Sequence, residues 1–399
     1  MSGDGGKSSK ALTLVLLALV AASFSVAMYF QALNLMRTAG TSTTTSTASS
    51  VLTSTSPAAT TRPWGSVTLS GAGASFLAPQ MFEWSRALTE TVGLRVEYQS
   101  VGSGAGRDMF FNKVVHFAGS DPPLSRELHE QYAGGVMQLP VVVGSVVIVY
   151  NIPEVPEGKS ICLSSDVMAL IYRGDIRYWD DQRILDVNPD LRGVLPHQEI
   201  VAVHRSDSSG TTSVFTAYLN KASPEVWSKG LVGFTVDWPV DAVGRGVGGK
   251  GNEGVTQVVK TTPYSLGYVE LSYAITQRLP TAALRNAEGV CVKPTDQTVL
   301  NAVRNSTAFL PQSPLDDWSN VLPQMLNPPG RDSYPIVSFS YIFIYRTYPD
   351  RAVVEALREF IRWINTEGQE RMVPGYLPIT EEVRRVNLKA IELLEVGGT

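Results

Sequence analysis

From Val67 onward, short apolar runs of strand type alternate with segments of helical periodicity. VTLSGAG, LRVEYQSV, VVHFAGSD, VMQLPVVVG and SVVIVYNI read as strands, because they are rich in β-branched residues and bounded by glycine, serine or proline. PQMFEWSRALTETVG places Met81, Phe82, Trp84, Leu88 and Val92 where a partly buried helix needs them, and Gly93 ends it. A short helix is expected from Arg107 to Asn112, with further helices in DVMALIYRGDI, from Val214 to Lys221, and in VVEALREFIRWINTEG. The alternation predicts an α/β architecture with largely parallel, buried sheets.

Residues 1–63 break this pattern. Lys7 and Lys10 precede an uncharged, Leu/Val/Ala-rich stretch from Ala11 to Met36, long enough as a helix to cross a ~30 Å hydrocarbon core. Residues 1–37 therefore read as an N-terminal membrane anchor or signal segment. The lysines favour an N-in, C-out orientation, which Arg37 blunts. An uncleaved anchor is the expected form, although Ala21, Ala22 and Ser23 leave cleavage open. Residues 38–63, almost wholly Ser, Thr, Ala and Pro, hold too little apolar surface to offset their ordering entropy and read as a tether. The folded part is expected to begin near Trp64.

Composition narrows the function. A chain of 399 residues, 44% hydrophobic and 18% charged, can bury two ordinary cores, so two lobes are expected. A formal net charge of -4 lacks the basic field that a nucleic-acid backbone requires, so no nucleic-acid partner is expected. The four histidines lack ligand spacing, and neither a metal nor another cofactor is expected. Cys162 and Cys291 are the two cysteines; an external compartment permits a disulfide between them, and two buried thiols fit the sequence equally well.

Three loops carry the candidate chemistry. SGAGASF (70–76), SVGSGAGR (100–107) and RSDSSGTT (205–212) each sit between a strand and a helix. Each combines glycines, which let backbone N–H groups approach a ligand, with hydroxyls at a helix start, where amide donors lack intrahelical partners and the dipole is positive. Taken singly, each is an ordinary helix-capping loop. Three of them, with an arginine and an acid, describe a neutral anion cradle.

These residues also carry a resemblance. TLSGAGASFLAP, YQSVGSGAG, HFAGSDPPLS, IVAVHRSDSSGTTSVFTAYL, GGKGNEGV, SLGYVELSYA and YPIVSFSYIFIYR, in this order, strongly resemble the extracytoplasmic phosphate-binding proteins of ABC-type phosphate importers. The resemblance implies a type II periplasmic-binding-protein fold, with two α/β lobes joined by two hinge crossings and one tetrahedral anion in the cleft. Placed near Tyr150 and Tyr334, the crossings make lobe 1 discontinuous, residues 64–150 and 334–399, with lobe 2 at 151–333. The implied phosphate ligands are Ser75, the backbone N–H of Phe76, Ser103, Asp121, Arg205, Ser209, Gly210 and Thr211, and Asp207 would orient the Arg205 guanidinium. Pro122 and Pro123 stiffen the turn after Asp121, and Ser208 stands where the family usually has glycine; neither removes a ligand. The implied partners are inorganic phosphate and an ABC permease and ATPase complex. The expected protein is a monomer, held on the extracytoplasmic side of the cell membrane by its N-terminal helix.

Two other readings are weighed against this one. GRGVGGKG (244–251) nearly spells a P-loop, but Gly251 stands where a Ser or Thr would bind magnesium, so a surface turn ahead of a helix starting near Asn252 is expected. A secreted or surface phosphohydrolase could use the same oxyanion cradle. Val101 breaks a Gly-x-Ser-x-Gly elbow at Ser103, and no histidine has an evident relation to it, so no enzyme is expected.

Overall fold

The computed structural model describes residues 62–306 and 310–397. The expected membrane segment and all but the last residues of the tether lie outside them. Among the described residues no helix is long and apolar enough to cross a membrane.

The chain runs through β1 (Thr68–Gly73), α1 (Ala78–Thr91), β2 (Arg95–Ser100), α2 (Ser103–Phe111), β3 (Phe117–Ser120) and the long β4 (Val136–Asn151). It continues through β5 (Val201–Arg205), α3 (Gly210–Ala222), β6 (Gly246–Gly249), α4 (Gly251–Thr261), β7 (Ser265–Glu270), β8 (Val337–Tyr345) and α5 (Arg351–Ile364). These strands form one eight-stranded sheet in the order β2-β1-β3-β8-β4-β7-β5-β6. The outer pairings are parallel: β1 with β2 and β3, β5 with β6 and β7. The centre is antiparallel, since β8 opposes both β3 and β4, and β4 opposes β7. The α/β class is as expected, and the largely parallel sheet is corrected to a mixed one.

β4 explains much of that correction. The sequence divides this region at Gly144 into two strands, whereas the structure has one 16-residue strand, buried along all but its last residue. Val136 to Ser145 pair with β8, and Val146 to Asn151 pair with β7, so the sequence break marks a change of partner, not an end. Gly144 is required by packing: a Cβ there would lie 2.5 Å from the Phe76 ring. Pro140, which has no N–H to give, sits where the β8 register shifts between Ser340 and Tyr341, a bulge that tolerates it.

Two helices begin earlier than expected. α2 starts at Ser103 rather than Arg107, after Gly102 at φ 88°. Gly106 is accommodated because helix and strand nearly touch; its Cβ would fall 2.2 Å from the Gly73 Cα. α3 starts at Gly210 rather than Val214, capped by the Ser209 side chain. The 244–251 segment is not the expected surface turn: Gly246 to Gly249 form the edge strand β6, and α4 starts at Gly251. α5 is the strongly amphipathic helix its pattern implies, with Val354, Leu357, Phe360, Ile361 and Ile364 buried.

Cys162 and Cys291 are joined by a disulfide, with Cα atoms 5.9 Å apart, across a sequence separation of 129 residues. Closing so long a loop constrains the unfolded chain, by roughly 2–5 kcal/mol. The Cys162→Ala/Cys291→Ala variant is therefore expected to melt about 3–7 °C lower in a thermal scan. Because neither cysteine touches the three loops, its anion affinity should match that of the oxidised protein.

Candidate functional site

The three loops meet. β1 hands over to α1 through Gly73, where a Cβ would lie 2.1 Å from the Gly119 carbonyl oxygen, so the first loop lies tightly over the end of β3. β3 ends at Ser120, and Asp121 follows as the acid. From the other half of the sheet, β5 ends at Arg205 and the Ser206–Ser209 turn opens α3. The junction is shown by Gly210: a Cβ on it would lie 2.4 Å from both Asp121 Oδ2 and Ser103 Oγ. The N-terminus of α3 thus abuts the acid and the second loop. Also across this junction, Gly104 N–H donates to the Ser208 carbonyl at 3.1 Å.

Every side chain expected to hold the anion is buried: Ser75, Ser103, Asp121, Arg205, Ser209 and Thr211, along with Phe76. Ser103 Oγ donates to Asp121 Oδ2 at 3.4 Å, and Ser340 Oγ donates to Asp121 Oδ1 at 3.0 Å. Arg205 donates through Nε to Asp207 Oδ1 at 2.7 Å and through Nη2 to Asp207 Oδ2 at 2.5 Å, and its Nη1 reaches Thr211 Oγ1 at 3.3 Å. The bidentate pair fixes the plane of the guanidinium. Thr211 Oγ1 also accepts from Asn252 Nδ2, which donates to Ser75 Oγ at 2.8 Å. Ser75 and Thr211, from opposite halves, therefore share one amide.

Two expected residues have local partners as well. Ser209 Oγ accepts from Thr212 N–H at 3.0 Å, the ordinary N-cap bond, which leaves the hydroxyl proton for a second partner. Asp207 accepts from Gly251 N–H at 3.0 Å in addition to Arg205. Gly210 and Thr211 occupy the first turn of α3, where amide N–H groups have no intrahelical acceptor.

The electrostatics are those of a buried site. Burial pushes the Asp121 carboxyl up to about 7, against the Ser340 and Ser103 hydrogen bonds and the Arg205 and Arg107 charges, which pull it down. Burial also works on Asp207, but hydrogen bonds from Arg205, the Arg205 charge and the Gly251 amide hold it below the usual carboxylate range. One acid is thus committed to its arginine. The other is left with a proton affinity near neutrality. Among the described residues no group of three His, Cys, Asp or Glu side chains could hold a metal ion. A surface cavity of about 750 Å³, lined by Tyr150, Pro156, Leu271 and Arg278 among others, contains no residue of these loops.

Sequence reasoning assigned no role to Asn252, Ser338 or Ser340. Asn252 opens α4 inside the GGKGNEG block and, besides Ser75 and Thr211, accepts from Glu270 N–H at 2.9 Å. Ser338 and Ser340 alternate with apolar residues in VSFSYIFIY; Ser338 Oγ donates to the Asp121 carbonyl and Ser340 to its carboxylate. Two hydroxyls two residues apart in a buried strand were a legible signal, because only a partner makes them tolerable there.

A mixed sheet whose halves share β4, with helix N-termini and buried donors converging between them, defines a binding protein of the periplasmic type. The PBP superfamily domain matches residues 38–367. The phosphate-binding protein PstS of Methanocaldococcus jannaschii is 42% identical over 335 residues, 81% of this chain and 85% of its own. That of Pasteurella multocida is 35% identical over 321 residues, 79% of this chain and 87% of its own. The chain belongs to the PstS family of phosphate-binding proteins. Among solved structures, the periplasmic phosphate-binding protein PfluDING, bound with phosphate, superposes with a TM-score of 0.63 at 21% identity, covering 80% of this chain and 92% of its own. The phosphate-binding protein of Stenotrophomonas maltophilia gives 0.59 at 21%, covering 81% and 93%. At such identity these two structures speak to the fold alone.

Proposed function

We propose that this protein is an extracytoplasmic receptor that binds inorganic phosphate between two lobes and delivers it to an ABC importer. The observation that carries the reading is the junction at Gly210, where the donor-rich start of α3 meets Asp121 and Ser103. In the proposed complex, Arg205 and the amides of Phe76, Gly210 and Thr211 grip oxygens, with the hydroxyls of Ser75, Ser103, Ser209 and Thr211. Asp121 accepts a hydrogen bond from the O–H group that hydrogen phosphate and dihydrogen phosphate carry and sulfate at neutral pH lacks. Membership of the PstS family supports the ligand and the transporter partner.

The lobes are residues 64–150 with 334–399, and residues 151–333, hinged where β4 and the segment before β8 cross between them. The partner change at Ser145/Val146 within β4 supports this division. The apolar stretch from Ala11 to Met36 anchors the chain, and the Ser/Thr tether keeps a monomeric receptor near the permease, raising its local concentration. A phosphohydrolase is not favoured. Ser103 is paired with a carboxylate, and His204 is held by Asp241 at 2.8 Å, so Ser103 has no histidine base.

Isothermal calorimetry on the purified protein tests the reading. Phosphate is expected to bind at least a thousandfold more tightly than sulfate at pH 8, by roughly the 1–3 kcal/mol of an unpaired buried acceptor plus the charge repulsion added to it. Heat from sulfate equal to that from phosphate would refute it.

A further inference from the structure

We propose that Arg107 is a positioning residue that fixes the Asp121 turn and, through the face of Phe234, latches that turn to the Ser209 loop of the opposite half. The proposal rests on the phosphate site described above but concerns a residue outside it.

Arg107 lies in α2 and is buried, 8% exposed. Its Nε donates to Ser120 Oγ at 3.0 Å, and its Nη2 donates to the carbonyls of Pro122 and Pro123 at 2.8 and 2.7 Å. Those residues bracket Asp121 on both sides. One rigid fork therefore sets the backbone from which the acid projects. No carboxylate lies within ion-pair range of this guanidinium among the described residues, and a buried charge in that condition needs other compensation.

Beside its three hydrogen bonds and the more distant Asp121 charge, two aromatic rings supply it. The guanidinium carbon lies 5.3 Å from the Phe343 ring centroid and 4.5 Å from that of Phe234. Phe343 belongs to β8, beside β3 and the Asp121 turn. Phe234 belongs to the other half, in the segment between α3 and β6, and its carbonyl accepts from Ser209 N–H at 2.8 Å. A single side chain thus touches both walls of the site: the turn bearing the acid, and the residue that holds the start of the third loop. This contact exists only when the halves are together, so its energy belongs to the closed form.

The test combines two measurements on Arg107→Gln, Phe234→Leu, Phe234→Tyr and the double variant Arg107→Gln/Phe234→Leu. Chemical unfolding without ligand gives the Arg107–Phe234 coupling by a double-mutant cycle, independent of any phosphate reading. Stopped-flow displacement of phosphate gives its association and dissociation rates. A non-zero coupling is expected, with dissociation about fivefold faster in Phe234→Leu at unchanged association, and with the slow rate kept in Phe234→Tyr, whose ring face remains. Zero coupling overturns the latch. Coupling with unchanged dissociation reduces Arg107 to a structural residue and also overturns it. Failure of the unmutated protein to bind phosphate overturns the site reading, and with it any role of Arg107 in holding phosphate, while the cycle still reports whether the contact exists.

Discussion

Asp121→Asn is expected to bring phosphate and sulfate affinities together, shrinking their ratio by roughly two to four orders of magnitude in calorimetry at pH 8. The wild-type carboxylate meets sulfate with lone pair against lone pair in a buried site, whereas the amide can turn an N–H toward either anion. The direction with pH follows from the same group. Its carboxyl is pushed up to about 7, so below that pH it carries its own proton and can donate to sulfate. Sulfate rejection by the wild type should therefore weaken as pH falls through 7, and in the variant it should not change there. The charged and titratable groups around Asp121 are Arg107, Arg205, Tyr98 and Glu270, and Glu270, buried and pushed up to about 8, is largely neutral across that window. Stability gives an independent reading. A carboxyl raised in the folded state contributes fully below its unfolded value near 4, and the contribution is lost as pH rises to 7. The empty variant should thus gain on the empty wild type between pH 4 and 7, by a few kcal/mol, on the order of 3–4. Parallel melting curves across that range would remove Asp121 from the role.

Arg205→Met is expected to weaken phosphate by roughly a thousandfold and to destabilise the empty protein as well. The side chain is 1% exposed and its partner Asp207 only 13%, so the substitution strands a buried carboxylate. Adding Asp207→Asn should return most of the lost melting temperature and none of the binding. That split separates the guanidinium's contact with an anion from its part in the ion pair. Recovery of both properties in the double variant would mean that Arg205 serves packing alone.

The loops were legible in the sequence because their chemistry is local. Glycine and hydroxyl residues at a strand-to-helix junction have few uses, and Gly102, at φ 88° directly before α2, and Ser209, which caps α3, perform them on the spot. What escaped depends on distant partners. Asn252 looks like an ordinary first-turn residue until Ser75, 177 positions away, is brought to it. Arg107 reads only as the end of a glycine-rich loop and the start of a short helix until the Pro122 and Pro123 carbonyls and two rings close over it. The continuity of β4 was hidden by Gly144 and Pro140, which mark strand ends in most settings and here answer a ring and a bulge. Local pattern finds the donors; only the fold tells which of them face one another.

Because one uninterrupted strand belongs to both halves of the sheet, the β4 crossing is ladder-bonded backbone and not a loose connector. If the two proposed lobes part, β4 takes up its share of the motion as torsion, spread over many peptide units and their ladder bonds. In the two-lobe reading proposed above, β4 then acts as a leaf spring clamped at its middle, stiffest away from the partner change at Ser145 and Val146.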